Sequence, residues 1–82
     1  MKNYKVMLTE YAKNLNDDEL KFLYFRSTQL LCGDRADFVE NISRDRDVDR
    51  WLVNAESSTE FFDMLDEISS SITEEYNSRF NS

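Results

Sequence analysis

The chain has 82 residues, of which 40% are apolar and eleven are Phe, Trp or Tyr, and its formal charge is −7. This length fits one domain spanning residues 1–82, and the aromatic content excludes the class of disordered acidic tails. No window is apolar enough to cross a bilayer and no apolar run follows the N-terminal lysines, so we expect neither membrane insertion nor a signal peptide.

The N-terminal segment carries two overlapping apolar patterns. Tyr4, Met7, Leu8 and Tyr11 would share one face of a helix, whereas Tyr4, Val6 and Leu8 would share one face of a strand. We favour the helix, because a strand here has no obvious partner and an isolated strand pair is weak.

The clearest helix start follows Leu15. Asn16 is a good N-cap and Glu19, three residues on, can complete a capping box. Leu15 and Leu20 have the spacing of a hydrophobic staple across the same cap. These signals predict a helix that begins at Asp17.

That helix is predicted to run to about Cys32 and to end at Gly33, since glycine suits the left-handed position after a helix. Its core-facing residues are Leu20, Leu23, Tyr24, Ser27, Leu30 and Leu31. Phe22 and Phe25 point elsewhere. A helix that is apolar nearly all round is either central in its fold or covered by a partner, so these two rings are either core or interface.

The middle of the chain predicts one helix and one ambiguous segment. Asp34 can cap a helix from Arg35 to about Arg44, whose apolar face is Phe38, Val39 and Ile42. Residues 45–55 fit either a short helix or a loop that Trp51 anchors to the core.

The C-terminal third predicts the longest element. Ser57 and Glu60 form a second capping-box pattern. The stripe that follows is continuous over six turns: Phe61, Leu65, Ile68, Ile72, Tyr76 and Phe80. The fold class is therefore all-α, a small bundle of three to four helices and at most five.

Negative charge is concentrated towards the C-terminus. Residues 1–13 have a net charge of +2, and from residue 56 onward it is −6. An acidic body repels phosphate backbones, so we expect no direct nucleic-acid binding. A row of carboxylates could instead imitate phosphates, which gives an alternative function: a phage-type nucleic-acid mimic that occupies a DNA-binding protein.

Residues 45–56 carry an incomplete calcium pattern. Asp45, Asp47, Asp49 and Glu56 occupy positions 1, 3, 5 and 12 of an EF-hand loop, whose ligands are oxygens. Arg50 stands at position 6, where that loop needs glycine. We favour a charged surface in which the arginines pair with aspartates at i,i+3, namely Arg44–Asp47, Arg46–Asp49 and Asp47–Arg50. Weak calcium binding is kept as an alternative.

Few residue types are present that support catalysis. With no histidine and one cysteine, the chain lacks the usual base for nucleophilic catalysis and cannot form an intrachain disulfide. A zinc site is nearly excluded as well, because no histidine can join Cys32 in a tetrahedral N/S site. We expect Cys32 to be a buried small apolar side chain. We expect no enzyme and no cofactor, and a lone cysteine without an export signal predicts a cytoplasmic protein.

Residues 15–42 resemble the Sda family, the small helical-hairpin inhibitors of sporulation histidine kinases. The shared features are Asp18-Glu19-Leu20 at a helix start, then Tyr24, Arg26, Thr28 and Leu30, and after a turn Asp37-Phe38-Val39-Glu40 and Ile42. The likeness covers about a third of the chain and requires a small gap, and such hairpins lack the N- and C-terminal helices predicted here. It is an analogy for how a small helical protein could block an enzyme.

The function expected from these patterns is a small acidic protein-binding regulator or inhibitor that docks a helical apolar and acidic face onto a larger protein. A structural assembly subunit is a further alternative. Because small domains without disulfides or metals need other support, we also expect a homodimer. The candidate protein-binding residues are Phe22, Phe25, Arg26, Trp51, Glu60, Asp63 and Glu67.

Overall fold

A computed structural model describes residues 4–28 and 35–81. Over these ranges the chain forms five α-helices, which are α1 (Tyr4–Asn14), α2 (Asp17–Thr28), α3 (Arg35–Ile42), α4 (Arg46–Leu52) and α5 (Ser58–Phe80). The predicted all-α class and the C-terminal position of the longest helix are confirmed. The count of five is the upper bound of the prediction.

Helix α1 settles the ambiguity of the N-terminal segment in favour of a helix. Leu8, Tyr11 and Ala12 are buried on one face. Met7 is half-buried against the same core, while Tyr4 and Val6 are exposed. The strand pattern would have placed Val6 inside, so the helical spacing alone accounts for the observed burial.

Helix α2 begins as its capping residues predict. Asn16 Oδ1 accepts a hydrogen bond from the Glu19 N–H at 2.8 Å, and Glu19 Oε1 accepts one from the Asn16 N–H at 3.1 Å. This reciprocal pair is the capping box. Leu20 is fully buried and Leu15 packs against the same core cluster. The predicted end of this helix, with Cys32 and Gly33, lies outside the described residues.

Helix α3 is shorter than predicted, because it ends at Ile42 and a turn occupies residues 43 and 44. Phe38 and Ile42 are fully buried as the pattern requires. The predicted cap at Asp34 lies outside the described residues.

The ambiguous segment 45–55 contains a helix. Asp45 is the N-cap of α4, and its Oδ1 accepts from the N–H groups of Asp47 and Val48 at 3.0 Å. Val48 and Leu52 are buried on the inner side of α4. A cap that satisfies two unpaired N–H groups explains why so short a segment is helical despite its mixed charge.

Helix α5 spans 23 residues and carries the centre of the core. Leu65, Ile68 and Ile72 are buried in the middle of its stripe, whereas Phe80 at the end is exposed. Ser57 caps the helix as predicted, with its Oγ accepting from the Glu60 N–H. The capping box is not reciprocal, because Glu60 Oε2 accepts from the N–H of Glu56.

The core joins all five helices. α5 packs on both α1 and α2, while α3 packs on α2 and α4 on α1. Helix α2 therefore packs against α3 and α5, and Phe22 and Phe25 lie exposed on another of its faces. None of the described helices has the length and apolarity needed to span a membrane.

Candidate protein-binding site

The uncovered face of α2 carries two large aromatic side chains. Phe22 is 40% exposed and Phe25 is 53% exposed. They are three residues apart, so their rings are neighbours on the helix surface. Leu20, Leu23 and Ser27 are buried on the opposite side of the same helix. Of the two interpretations left open by the sequence, burial of both phenylalanines in the core is wrong.

Phe25 rests on a stack of aromatic rings that connects α2 to α5. Tyr24 and Tyr76 stack face to face with their centroids 3.9 Å apart, and the edge of Phe25 meets both rings. Tyr76 also contacts Phe80, at a centroid separation of 5.0 Å. We call the exposed rings Phe22, Phe25 and Phe80 the aromatic surface. Phe25 and Phe80 therefore pack against rings that join α2 to α5.

Two cations lie over rings of the aromatic surface. The guanidinium carbon of Arg26 lies 4.6 Å from the Phe22 centroid, and Lys21 Nζ lies 4.9 Å from the Phe80 centroid. Arg26 Nε is buried and forms no hydrogen bond in the described structure. A cation that loses water in this way is attracted more strongly to the ring face, so the Arg26–Phe22 contact contributes to the packing of this part of the surface.

A cleft borders the Phe22 side of the aromatic surface. It has a volume of about 520 Å³ and lies between α1, α2 and the turn that joins α3 to α4. We call it the α1–α2 cleft. Its lining residues are Tyr11, Asn14, Leu15, Asp18, Glu19, Phe22, Leu23, Asn41, Arg44 and Asp45. Phe22 belongs to both features, so the aromatic surface and the cleft are continuous.

Tyr11 is the most deeply placed polar group in the cleft. Its side chain is 9% exposed, and within the described ranges its hydroxyl forms no hydrogen bond. Burial raises the pKa of this hydroxyl well above the ordinary tyrosine value, and the negative charges of Asp45 and Glu19 raise it further. Both carboxylates line the cleft, so the tyrosine hydroxyl faces the cleft interior.

Arg79 fixes the turn between α1 and α2, which forms one end of the cleft. It donates to the carbonyl oxygens of Ala12 and Lys13 at 3.3 and 2.9 Å. It also pairs with Asp17 at 3.2 Å and with Glu75 at 2.7 Å. A single guanidinium therefore satisfies the free carbonyls at the end of α1 and the first turn of α2, and it ties both to α5.

The predicted protein-binding residues do not form one site, because they lie on different parts of the surface. Phe22, Phe25 and Arg26 share the outer face of α2. Trp51 instead stacks on Tyr4 with centroids 5.5 Å apart, and the Tyr4 hydroxyl donates to Glu67 at 3.4 Å.

The remaining two predicted residues lie at the start of α5. Glu60 is engaged as a capping side chain, and Asp63 is exposed one turn further along. The acidic residues of this region therefore do not border the aromatic surface as part of one site.

The calcium pattern is not arranged as an EF-hand loop. Residues 46–52 are helical, and one carboxylate oxygen of Asp45 is used by the cap of α4. Across residues 4–28 and 35–81, no three acidic side chains are grouped so that they could hold a metal ion. The predicted i,i+3 ion pairs are also not formed: in the described structure none of Arg44, Arg46 and Arg50 forms a salt bridge with Asp47 or Asp49, whereas Arg79 pairs with Asp17 and Glu75.

Two parts of the site were missed by the sequence interpretation. Tyr11 was assigned only to a helix face, and Arg79 was given no structural role. The signal for Arg79 was its position in the last turn of α5, where a basic side chain is favoured. Nothing local could indicate that it reaches residues more than sixty positions away.

Comparison of the chain with family models, curated proteins and solved structures gives no match. The resemblance of residues 15–42 to Sda-type hairpin inhibitors accordingly stays an analogy. The site has to be interpreted from its own geometry.

Proposed function

We propose that this chain is a small protein-binding regulator whose outer α2 face docks onto a larger protein. One observation carries the proposal: Phe22 and Phe25 stand side by side on the solvent face of α2, opposite the core. Large aromatic side chains that can be buried by a partner are the usual anchors of protein interfaces. The chain acts in this proposal by binding and not by catalysis.

The size of the aromatic surface supports a protein partner. From the exposed fractions of Phe22, Phe25 and Phe80, the rings leave on the order of 250 Å² of apolar area in contact with water. Covering it contributes about 6 kcal/mol of gross burial energy at about 25 cal/mol per Å². That is a substantial share of a typical association energy before its entropic costs are deducted.

The charges that line the cleft beside the aromatic surface indicate the chemistry of the partner at that edge. Asp18, Glu19 and Asp45 line the adjoining cleft, and the whole chain carries a charge of −7. Complementary potentials favour docking between surfaces of opposite sign. The partner surface is therefore apolar at its centre and basic at the edge that meets the cleft.

Nucleic-acid mimicry is less well supported. The carboxylates that would imitate phosphates follow one side of α5, namely Glu60, Asp63, Glu67 and Glu74. Helix α1 lies along part of this side, because Lys5, Leu8 and Thr9 line a groove together with Glu67 and Glu74. Glu67 also accepts the Tyr4 hydroxyl. A phosphate imitation needs its charges open to solvent, and α1 covers part of them.

The homodimer, the cytoplasmic location and the role of assembly subunit stay predictions. A homodimer through the aromatic surface would bring two acidic α1–α2 clefts together, and like charges at an interface oppose association. A dimer is therefore expected to use another surface. Light scattering at several protein concentrations measures the molecular mass in solution and so distinguishes a monomer from a dimer.

The test is capture of the partner from a lysate of the source organism with three baits: wild type, Phe22→Gln/Phe25→Gln, and Phe62→Gln. Phe62 is 42% exposed on α5 and matches Phe22 in exposure, so its variant is the control. We expect one stoichiometric protein bound by wild type and Phe62→Gln, retained at high salt, and lost from the double variant. Equal capture by all three baits would place the interface elsewhere. Capture of DNA-binding proteins that dissociate in salt would favour mimicry.

A further inference from the structure

We propose that Arg26 binds a carboxylate of the partner protein, so that the segment covering the aromatic surface carries an Asp or Glu beside a large apolar side chain. This inference rests on the proposed function and specifies its chemistry. Arg26 follows Phe22 by four residues, which makes the two side chains neighbours on the surface of α2. The carboxylate would therefore meet the guanidinium at the edge of the Phe22 ring.

The guanidinium of Arg26 has no hydrogen-bond partner within the described ranges. Its Nε is buried and unpaired. Its two terminal nitrogens form no hydrogen bond there either, and they are not among the buried polar atoms, so they remain in contact with solvent. Arg79 differs in this respect, because its guanidinium bonds to two carboxylates and two backbone carbonyls. Arg26 therefore has donors that an incoming acceptor can use.

The position of Arg26 in α2 explains its charge and leaves its surroundings unexplained. It lies in the last turn of the helix, where the helix dipole favours a cation. A fully hydrated side chain would meet that preference equally well. Instead the guanidinium carbon lies 4.6 Å from the Phe22 centroid and Nε has lost its contact with water. Native structures rarely leave a buried polar atom without a partner, so the atom indicates a group that the chain itself does not supply.

The segment around Arg26 is positive in a chain that is otherwise acidic. Residues 20–33 contain two cations, Lys21 and Arg26, and no Asp or Glu, so their net charge is +2, whereas the whole chain has −7. Lys21 lies over Phe80. Two of the three exposed rings thus carry a cation that no acidic residue of the segment neutralises. A complementary partner presents negative charge at this part of the surface.

Docking on the aromatic surface makes the partner's carboxylate necessary. A protein that covers Phe22 also covers the guanidinium on its ring and removes water from the terminal nitrogens. A charge that is buried without a counter-charge opposes association. A carboxylate fits the planar guanidinium, because its two oxygens can accept two parallel N–H bonds. The net charge of −7 disfavours a dianion such as a phosphate group.

The two ends of the α2 surface also give the partner segment a direction. Asp18, Phe22 and Arg26 are spaced by four residues and form one row of about 12 Å along the helix. Asp18 lines the cleft at one end of the row, where the partner is proposed to be basic. A complementary segment therefore presents a basic group, an apolar side chain and a carboxylate in that order.

The first experiment selects binders from a random peptide library on the full wild-type chain. Sequencing should show enrichment of Asp or Glu beside large apolar residues, and the selected peptides should lose binding to Phe22→Gln/Phe25→Gln. Calorimetry with the tightest peptide should give an affinity about tenfold lower for Arg26→Gln. Arg26→Lys keeps the charge without the planar fork, so its loss should be smaller. Arg46→Gln removes an exposed cation from α4 and should leave the affinity unchanged, which makes it the matched control.

A double-mutant cycle tests the pairing without relying on the fold of one variant. The same peptide with its acidic residue replaced by the corresponding amide should bind wild type about tenfold more weakly. Against Arg26→Gln, the acidic peptide and the amide peptide should bind equally, because the pairing has already been removed. Full affinity of the amide peptide for wild type, or losses that simply add in the cycle, would overturn the assignment of Arg26.

The selected peptides also separate failure of this inference from failure of the proposed function. Peptides that need Phe22 and Phe25 but show no enrichment of acidic residues would make the carboxylate inference wrong and leave the docking function standing. Peptides that bind Phe22→Gln/Phe25→Gln as well as wild type would contradict the docking function. A library that yields no binder would contradict both.

Discussion

Replacing Tyr11 by phenylalanine removes one hydroxyl and keeps the buried ring. Most substitutions of a core residue destabilise a protein, and loss of a hydrogen-bonded hydroxyl typically costs about 1 kcal/mol. The Tyr11 hydroxyl forms no hydrogen bond with a described residue, and it is not one of the fully buried polar atoms, because Tyr11 lines the open α1–α2 cleft. We therefore expect Tyr11→Phe to leave the free energy of unfolding within about 0.5 kcal/mol of wild type, or to raise it.

The same hydroxyl predicts a dependence on alkaline pH. Its pKa in the folded chain is raised above the unfolded value of about 10, mainly by burial. The contribution of the Tyr11 hydroxyl to stability is present below the unfolded pKa. It is lost as the pH rises towards the folded pKa, because the hydroxyl ionises first in the unfolded chain. Relative to Tyr11→Phe, wild type should therefore become progressively less stable as the pH rises from about 8 to about 11.

Urea denaturation followed by circular dichroism measures both quantities. Leu8→Ala serves as the control for sensitivity, since Leu8 is buried and its truncation should cost about 2–5 kcal/mol. A loss above about 1 kcal/mol in Tyr11→Phe at neutral pH would show that the hydroxyl has a partner. That result, or a difference between the two proteins that is independent of pH, would refute the description of the cleft given above.

Two further predictions concern the other elements of the site. Phe22→Gln/Phe25→Gln should stay cooperatively folded, and its free energy of unfolding should fall by at most about 2 kcal/mol, because one cation–π contact and one ring contact are lost. Leu23→Ala should lower it by about 2–5 kcal/mol. Thermal unfolding compares the two variants, and an unfolded double variant would show that both phenylalanines belong to the core. Asp45→Ala removes the acceptor for two backbone N–H groups of α4. It should lower the free energy of unfolding by about 1 kcal/mol and reduce the helical signal in circular dichroism. Unchanged stability and helical signal would contradict the role of Asp45 as the N-cap.

The helix starts were predictable because their causes are local. Asn16 and Glu19 bond to each other within one turn, and the stripe of α5 follows from its own spacing. The exposure of Phe22 could not be predicted in the same way. Which face of α2 is left open depends on where α3 and α5 pack, and the apolar pattern of α2 continues nearly around the helix.

The cleft depended on contacts between distant residues. Tyr11 comes from α1, Asp18 from α2 and Asp45 from the turn after α3, so no window of sequence contains the site. Arg79 positions the turn at its edge from the far end of α5. The apparent calcium pattern was misleading for a related reason, because Asp45 serves as a helix cap and the residues after it are helical.

The most direct test of the docking surface is the affinity of the purified partner for single variants, measured by calorimetry. Phe25 is the more exposed of the two α2 rings and Phe62 is an exposed ring on α5. If the aromatic surface is the interface, Phe25→Gln should weaken binding by about 30-fold, as expected for a central aromatic anchor, and Phe62→Gln should change it by less than about twofold. The reverse order, or equal affinities for both variants, would contradict the proposal that the outer face of α2 binds the partner.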